Sequence, residues 1–281
     1  MIRTVDVARP DGRTIRAVEA GSTAPDAPTV VWHHGSPHTG EPVPPLVAAA
    51  ERRGIRLITY ARPGYGASTP QPDRDVASAA GDVAAIADAV GVDRFAVLGY
   101  SGGGPHALAC AALLPGRVTA AATLAGIAPY VAADEWFAGM HAPAGLRSAA
   151  TSRDARLRHA EHDEFDPGQF VDTDWAALEG EWAALGQDAQ RAEADGPGGL
   201  VDDDVAFTRP WGFDLGDVRV PTLLVHGERD RVVPRAHAVR TLAALPDARL
   251  WMRLDEGHVA VLAVVPDALD WLVERSAGVA G

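Results

Sequence analysis

Short apolar runs alternate with longer amphipathic stretches along most of the chain. The apolar runs are rich in valine, isoleucine, leucine and alanine, as is typical of buried strands. The stretches between them repeat apolar residues at spacings of three and four, which predicts helices. The strands predicted in this way cover 29–35, 55–61, 94–100, 117–126, 221–227 and 248–254, and the helices cover about 43–54, 75–91, 102–116, 234–245 and 259–275.

The first 21 residues have a different pattern, which predicts a hairpin. Residues 4–21 contain two candidate strands around Asp11-Gly12, a dipeptide that favours a tight antiparallel turn. The later strands are continuously apolar and alternate with helices, as in a mainly parallel sheet that is buried on both faces. The whole pattern predicts an α/β fold with a mostly parallel central sheet and helices on both of its faces.

The alternation of strands and helices stops between about 128 and 215. This stretch is polar, has a helical pattern and contains no apolar run of strand type. We therefore predict that residues 1–127 and 215–281 form the α/β core and that residues 128–214 form an inserted helical cap.

Aromatic residues mark the predicted cap. Trp175 and Trp182 are seven positions apart in residues 174–186, which predicts one amphipathic helix with both rings on the same face. Six large apolar side chains are candidates for an apolar substrate pocket beneath the cap, although packing within the cap is the more frequent role of such residues. These candidates are Trp136, Phe137, Met140, Trp175, Trp182 and Trp211.

The segment LGYSGGGPHALA, residues 98–109, places Ser101 between a predicted strand and a predicted helix. A nucleophilic serine needs a sharp turn at this place, so that its hydroxyl stands above the end of the sheet. Gly99 and Gly103 remove side chains that would collide in such a turn. The amide of Gly102 then points towards the atom that the serine would attack, which makes it a candidate oxyanion donor.

A serine hydroxyl is a weak nucleophile unless a base takes its proton and an acid orients that base. Asp230 follows the strand 221–227, and His258 follows the strand 248–254. The carboxyl ends of parallel strands meet at one edge of the sheet, so both side chains are expected near Ser101. Three other acids near these loops are alternatives to Asp230: Glu228, Asp255 and Glu256.

A second oxyanion donor is expected from the loop after an early strand. The segment HHGSPH, residues 33–38, offers the backbone amide of Ser36, and we expect His34 to brace this loop by hydrogen bonds. The three histidines of the segment do not form a recognisable metal motif, and no H-E-x-x-H occurs in the chain. We predict no metal site.

Composition excludes several functional classes. The formal net charge of −13 argues against nucleic-acid binding and against an anionic membrane surface. The single cysteine, Cys110, allows no intrachain disulfide. No signal peptide or membrane span is recognisable, so we expect a cytoplasmic protein whose partner is a small-molecule substrate. The oligomeric state remains open.

These motifs together resemble those of the α/β-hydrolase superfamily. The resemblance covers both ends of the chain: HGSP at 34–37, RPGYGAS at 62–68, GYSGG at 99–103, PWGFDL at 210–215, GERDRVVP at 227–234 and GH at 257–258. It implies an α/β-hydrolase fold with Ser101 as nucleophile, His258 as base and Asp230 as acid, and backbone donors at Ser36 and Gly102. Many relatives have an aspartate where this chain has Ala61, so the loop after it is expected to be held differently.

The expected reaction is acyl transfer to Ser101, without a cofactor, in a carboxylesterase-like serine hydrolase. The alternatives within enzymes are a prolyl-type aminopeptidase, a C–C bond hydrolase and a lactonase. An alternative of another class is a non-catalytic ligand-binding protein on the same fold. Residues 131–208 contain 17 acidic side chains and five arginines, a net charge of −12. These acids predict either a solvated lid or a carboxylate that captures a substrate amine.

Overall fold

A computed structural model describes residues 2–277 of the chain. An eight-stranded sheet runs through it in the order β1-β2-β4-β3-β5-β6-β7-β8. The strands are β1 (Arg3–Ala8), β2 (Thr14–Gly21), β3 (Thr29–His33), β4 (Arg56–Tyr60), β5 (Phe95–Tyr100), β6 (Val118–Leu124), β7 (Thr222–Gly227) and β8 (Ala248–Arg253).

The sheet is antiparallel at one edge and parallel elsewhere. Strand β2 pairs antiparallel with β1 and with β4, and every other neighbouring pair is parallel. Gly12, with φ of 86°, makes the turn of the predicted hairpin. The predicted fold class, a mostly parallel α/β sheet, is confirmed.

Helices cover both faces of the sheet. The described residues form ten α-helices: α1 (Pro44–Arg52), α2 (Ser78–Ala89), α3 (Gly103–Leu113), α4 (Ala144–Thr151), α5 (Arg153–Ala160), α6 (Asp172–Glu179), α7 (Ala183–Ala194), α8 (Gly198–Phe207), α9 (Ala236–Ala244) and α10 (Val265–Ala277). Within β3, Val31 packs with α2 and α3, whereas Val30 packs on the opposite face with α1 and α10. This alternation of side chains gives the molecule two apolar cores, one on each side of the sheet.

The stretch between β6 and β7 is helical, and it contains helices α4 to α8. The prediction of a single helix over 174–186 is wrong. Helix α6 ends at Glu179, the backbone leaves the helical range at Gly180 with φ of −111° and ψ of −125°, and α7 begins three residues later. Glycine leaves a helix easily because it carries no Cβ, and here it separates Trp175 from Trp182, which lies just before α7. The exact division into core and cap stays a prediction.

Within residues 2–277, no helix has both the length and the apolar character needed to cross a bilayer.

Candidate active site

Ser101 lies at the sharp turn between β5 and α3. Its φ of 51° is in the left-handed region that residues other than glycine rarely adopt. A side chain at Gly99 would overlap the carbonyl of Gly103, and a side chain at Gly103 would overlap the carbonyl of His33. Glycine at both positions therefore permits the sharp turn that places Ser101 at the carboxyl edge of the sheet. The serine is buried there, with 9% of its surface exposed.

The structure brings Ser101, His258 and Asp230 into one hydrogen-bonded chain. The imidazole Nε2 of His258 lies 2.9 Å from the hydroxyl oxygen of Ser101. Its Nδ1 lies 2.8 Å from Oδ2 of Asp230. The other carboxylate oxygen of Asp230 accepts hydrogen bonds from the amides of Val232 and Val233 at 2.9 and 2.8 Å. These bonds fix the carboxylate, which in turn orients the imidazole.

The three alternative acids do not reach His258. Glu228 pairs with Arg235 at 2.6 Å, and Glu256 pairs with Arg253 at 2.9 Å. Asp255 is exposed. Asp230 is therefore the carboxylate that the structure places against the imidazole.

The surroundings of His258 favour its protonated form. Burial of the imidazole lowers the pKa, but the charge and the hydrogen bond of Asp230 outweigh the burial. The charge of a second buried carboxylate, Asp174, acts in the same direction. The pKa of His258 is therefore raised above the ordinary histidine value of about 6.5.

Ser36 and Gly102 lie side by side next to Ser101. A Cβ at Gly102 would overlap the hydroxyl of Ser36, so a larger residue there would force this hydroxyl to move. In the described part of the chain, neither backbone amide donates a hydrogen bond to a protein acceptor. Both are thus available to a ligand atom bound at Ser101, although their use as oxyanion donors stays a prediction.

Hydrogen bonds of His34 stabilise the loop that carries Ser36, as expected from the sequence. The Nδ1 atom of His34 lies 2.6 Å from the carbonyl oxygen of Gly35, and its Nε2 accepts from the amide of Arg62 at 3.1 Å. The guanidinium of Arg62 donates to the carbonyls of His34 and Gly35 and to the hydroxyl of Ser36. Arg62 therefore fixes the loop through three acceptors.

Asp203 of α8 joins Arg62 to the helical segment between β6 and β7. It is completely buried and pairs with both Arg62 and Arg74, the latter at 2.6 Å. The hydroxyls of Ser36 and Tyr65 donate to the same carboxylate. Burial raises the pKa of Asp203, but the two guanidinium charges outweigh it and hold the pKa well below its usual range.

The histidines of residues 33–38 have structural partners. His33 lies 3.0 Å from the hydroxyl of Tyr60, and His38 lies 3.2 Å from Asp188 of α7. Among residues 2–277, no group of three or more His, Cys, Asp or Glu side chains is arranged to hold a metal ion.

Four of the six predicted pocket residues belong to the same apolar core as α2 and α3, and they are Trp136, Phe137, Met140 and Trp211. Trp136 is completely buried, contacts the rings of Phe137 and His237, and donates to the carbonyl of Pro129 at 3.0 Å. Met140 is buried in the same cluster. These contacts account for packing, and a role of Trp136, Phe137 and Met140 in substrate binding stays a prediction.

The remaining tryptophan candidates, Trp175, Trp182 and Trp211, differ in their surroundings. Trp175 forms an aromatic cluster with Phe165 and Phe170, of which Phe165 is 58% exposed. Trp182 is buried in the apolar core on the other face of the sheet. Trp211 packs beside Phe213 and belongs to the core formed with α2 and α3. Their role in substrate binding also stays a prediction.

Three residues close to the site are absent from the sequence-based candidates. The ring of Phe207 lies where it would contact a side chain at Gly102, 3.0 Å from the position of a Cβ. Asp203 and Asp174 carry no local signal, since both sit in ordinary helical sequence of an acidic segment. Only their partners, more than 80 residues away in the chain, reveal what they hold.

The parallel sheet, the turn at Ser101 and the loops that meet it define a known class of protein. The chain belongs to the α/β-hydrolase fold family, whose model matches residues 28–263. This membership supports hydrolase activity on a small molecule.

Individual relatives carry different names. The chain is 28% identical, over 89% of its length and 87% of theirs, to a 2-hydroxy-6-oxononadienedioate/2-hydroxy-6-oxononatrienedioate hydrolase of Cupriavidus pinatubonensis. It is 27% identical, over 85% and 87%, to a non-heme haloperoxidase of Rhodococcus erythropolis. A solved hydrolase from Pseudomonas aeruginosa superposes with a TM-score of 0.74 over 98% of both chains at 22% identity, which shows the shared fold.

Proposed function

We propose that the protein is a serine hydrolase that cleaves a carboxylic ester of a small, largely apolar substrate through an acyl-enzyme intermediate. The observation that carries this proposal is His258, whose two ring nitrogens face Ser101 and Asp230 at 2.9 and 2.8 Å. Relatives of this fold family carry names for different reactions, so the family alone does not decide between them.

The first step forms the acyl-enzyme. The Oγ atom of Ser101 attacks the ester carbonyl while Nε2 of His258 takes the hydroxyl proton. The amides of Ser36 and Gly102 stabilise the oxyanion of the tetrahedral intermediate. The bond from the carbonyl carbon to the leaving oxygen then breaks, and His258 gives the proton to that oxygen. In the second step, a water molecule repeats the sequence and releases the acid and the free serine.

Two aromatic side chains lie close to the proposed triad and support an apolar acyl group. The ring of Phe207 lies against Gly102, and the ring of Tyr100 lies 5.3 Å from that of His258. Both rings are buried. Aromatic walls this close to the nucleophile favour an apolar acyl chain over a charged one.

The buried acids of the cap favour an ester over the amine of an aminopeptidase substrate. A carboxylate that captures an amine must keep an acceptor free for it. The five buried aspartates of this segment already accept hydrogen bonds from arginines, backbone amides or side chains, and they are Asp174, Asp188, Asp202, Asp203 and Asp204.

The test uses a fluorophosphonate probe, which labels a serine only when a base activates it. The oxygen of Ser101 is expected to form a bond to phosphorus with release of fluoride, and labelling should disappear in Ser101→Ala. Ser22→Ala removes a hydroxyl far from the site in sequence and is the matched control. Absence of labelling in the wild-type protein would favour a binding protein on the hydrolase fold and contradict the proposal.

The substrate class is tested with p-nitrophenyl esters from acetate to octanoate and with prolyl p-nitroanilide. We expect turnover of the shorter esters, lost in Ser101→Ala, and no turnover of the amide.

A C–C bond hydrolase is the second candidate, because the relative from C. pinatubonensis bears such a name. It is tested with 2-hydroxy-6-oxononadienedioate. Turnover of this compound by a protein that leaves every ester intact would favour the second candidate.

A further inference from the structure

Asp174 of α6 has a carboxylate that binds the loop containing His258, the proposed base. It is completely buried. Its Oδ1 atom accepts hydrogen bonds from the amides of Val259 and Ala260 at 2.7 and 2.8 Å. These amides begin a 3₁₀ turn immediately after His258, so a negative charge there also meets the positive end of the turn's dipole.

A hydrogen bond to the second oxygen of Asp174 fixes the orientation of its carboxylate. Oδ2 accepts from the amide of Val171 at 3.1 Å, which fixes the start of α6. A side chain at Gly257 would overlap this oxygen, so the residue before His258 has to be glycine. The carboxylate therefore fills the space of the missing side chain and packs directly on the backbone that carries the imidazole.

From this arrangement we propose that Asp174 is a positioning residue for His258 in the reaction proposed above. It fixes the backbone on both sides of the imidazole, at residue 257 and at residues 259–260, and thereby sets the place of Nε2 relative to Ser101. It touches neither substrate nor the reacting atoms. The inference rests on the proposed serine mechanism.

The charge of Asp174 should affect the pKa of His258, which a role in packing alone would not do. The groups that face His258 are the carboxylates Asp230 and Asp174, the ring of Tyr100 and the imidazole of His226. Burial lowers the pKa of His226, so it adds no positive charge at neutral pH. Two negative charges thus stabilise the imidazolium that forms when the base takes the serine proton.

The experiment measures the rate constant of fluorophosphonate labelling from about pH 5 to about pH 9. The wild-type rate should rise with an apparent pKa above the ordinary histidine value of about 6.5. Asp174→Asn keeps the shape and removes the charge, so its acid limb should move to lower pH by on the order of half a unit. Its plateau rate should fall about tenfold because the imidazole is less well placed.

Asp188→Asn is the matched control. Asp188 is also buried and also accepts from a backbone amide, that of Thr39 at 3.0 Å, but it holds a different loop. Its acid limb should stay at the wild-type position. An equal shift in both variants, or no shift in Asp174→Asn, would overturn the proposal.

Two measurements keep the test informative if Asp174→Asn fails to fold. Asp174→Ser is smaller, retains an acceptor for the amides and should give the same shift. A wild-type acid limb at or below about 6.5 would by itself contradict the proposal. Failure of the serine mechanism looks different, because the wild-type protein would then not be labelled, or Ser101→Ala would still be.

Discussion

At the scale of single residues, Ser101 holds a backbone conformation that costs on the order of 1–3 kcal/mol. Its surroundings enforce it, since its amide donates to the carbonyl of Leu124 at 2.8 Å and its carbonyl accepts from Gly104 at 2.9 Å. The spacing of glycines around the serine predicts this turn from the sequence, because only glycine fits where backbone approaches backbone. The strain is offset by the sheet and helix that the turn joins.

Asp204 shows how burial changes a single carboxyl group. It pairs with Arg156 at 2.6 Å, yet burial raises its pKa to about 6. The unfolded chain has a pKa of about 3.9 at this carboxyl, so the folded state binds the proton more tightly. This group therefore favours folding increasingly as the pH falls through about 6, and the gain is complete once the pH is below the unfolded value.

We expect this effect to appear in urea unfolding at about pH 7.5 and about pH 5. The stability of the wild-type protein relative to Asp204→Asn should be greater at the lower pH by about 1 kcal/mol. Asp154→Asn removes a carboxylate from an exposed position of α5 and should leave this difference near zero. A wild-type advantage that shrinks on acidification would contradict the raised pKa.

At the scale of elements, three helices of the segment between β6 and β7 each place one buried aspartate against a loop outside that segment. Asp174 of α6 holds the loop of His258, Asp188 of α7 holds Thr39, and Asp203 of α8 holds Ser36 through Arg62. These helices therefore hold the three loops through buried charged contacts.

Sequence reasoning predicts the strands and helices of the sheet well and the helices above it less well. Periodicity and glycine spacing are local signals, and they suffice for β5, Ser101 and α3. The contacts of Asp203 with Arg62 and of Asp174 with Ala260 join positions 141 and 86 residues apart. A helical pattern also gives no warning that Gly180 ends α6.

The pairing of Asp203 with two arginines predicts a large effect on stability. Asp203→Asn should lower the free energy of unfolding by about 3–5 kcal/mol, because it leaves two buried guanidinium groups without their counter-charge. Asp202→Asn is the control on the same helix, since its partner Arg153 is 28% exposed and can rehydrate. It should cost about 1 kcal/mol or less. Equal losses in urea unfolding would contradict the special role of Asp203.

At the scale of the whole molecule, the acidic stretch 131–208 has a net charge of −12, which would suggest that its carboxylates are exposed to solvent. Five of its carboxylates are buried, and several cross to the core. Contacts of this kind join the two predicted parts of the chain energetically, since neither can unfold without exposing the other's buried charges.

We therefore expect one cooperative unfolding transition, with tryptophan fluorescence and far-UV circular dichroism changing together in urea. Four of the seven tryptophans lie in residues 128–214, so fluorescence reports mainly on that segment. In Asp203→Asn, the fluorescence change should come first. Separate transitions in the wild-type protein would show that the segment unfolds on its own.

The close contact of Asp174 with Gly257 limits how the helical segment can be exchanged in protein engineering. A chimaera that receives a helical segment without an aspartate at this position would lose the carboxylate that occupies the space beside Gly257. On the proposed mechanism, such a graft would leave His258, the proposed base, poorly aligned. Transplants are therefore best designed with an aspartate kept opposite residue 257, so that the backbone on both sides of His258 keeps its place.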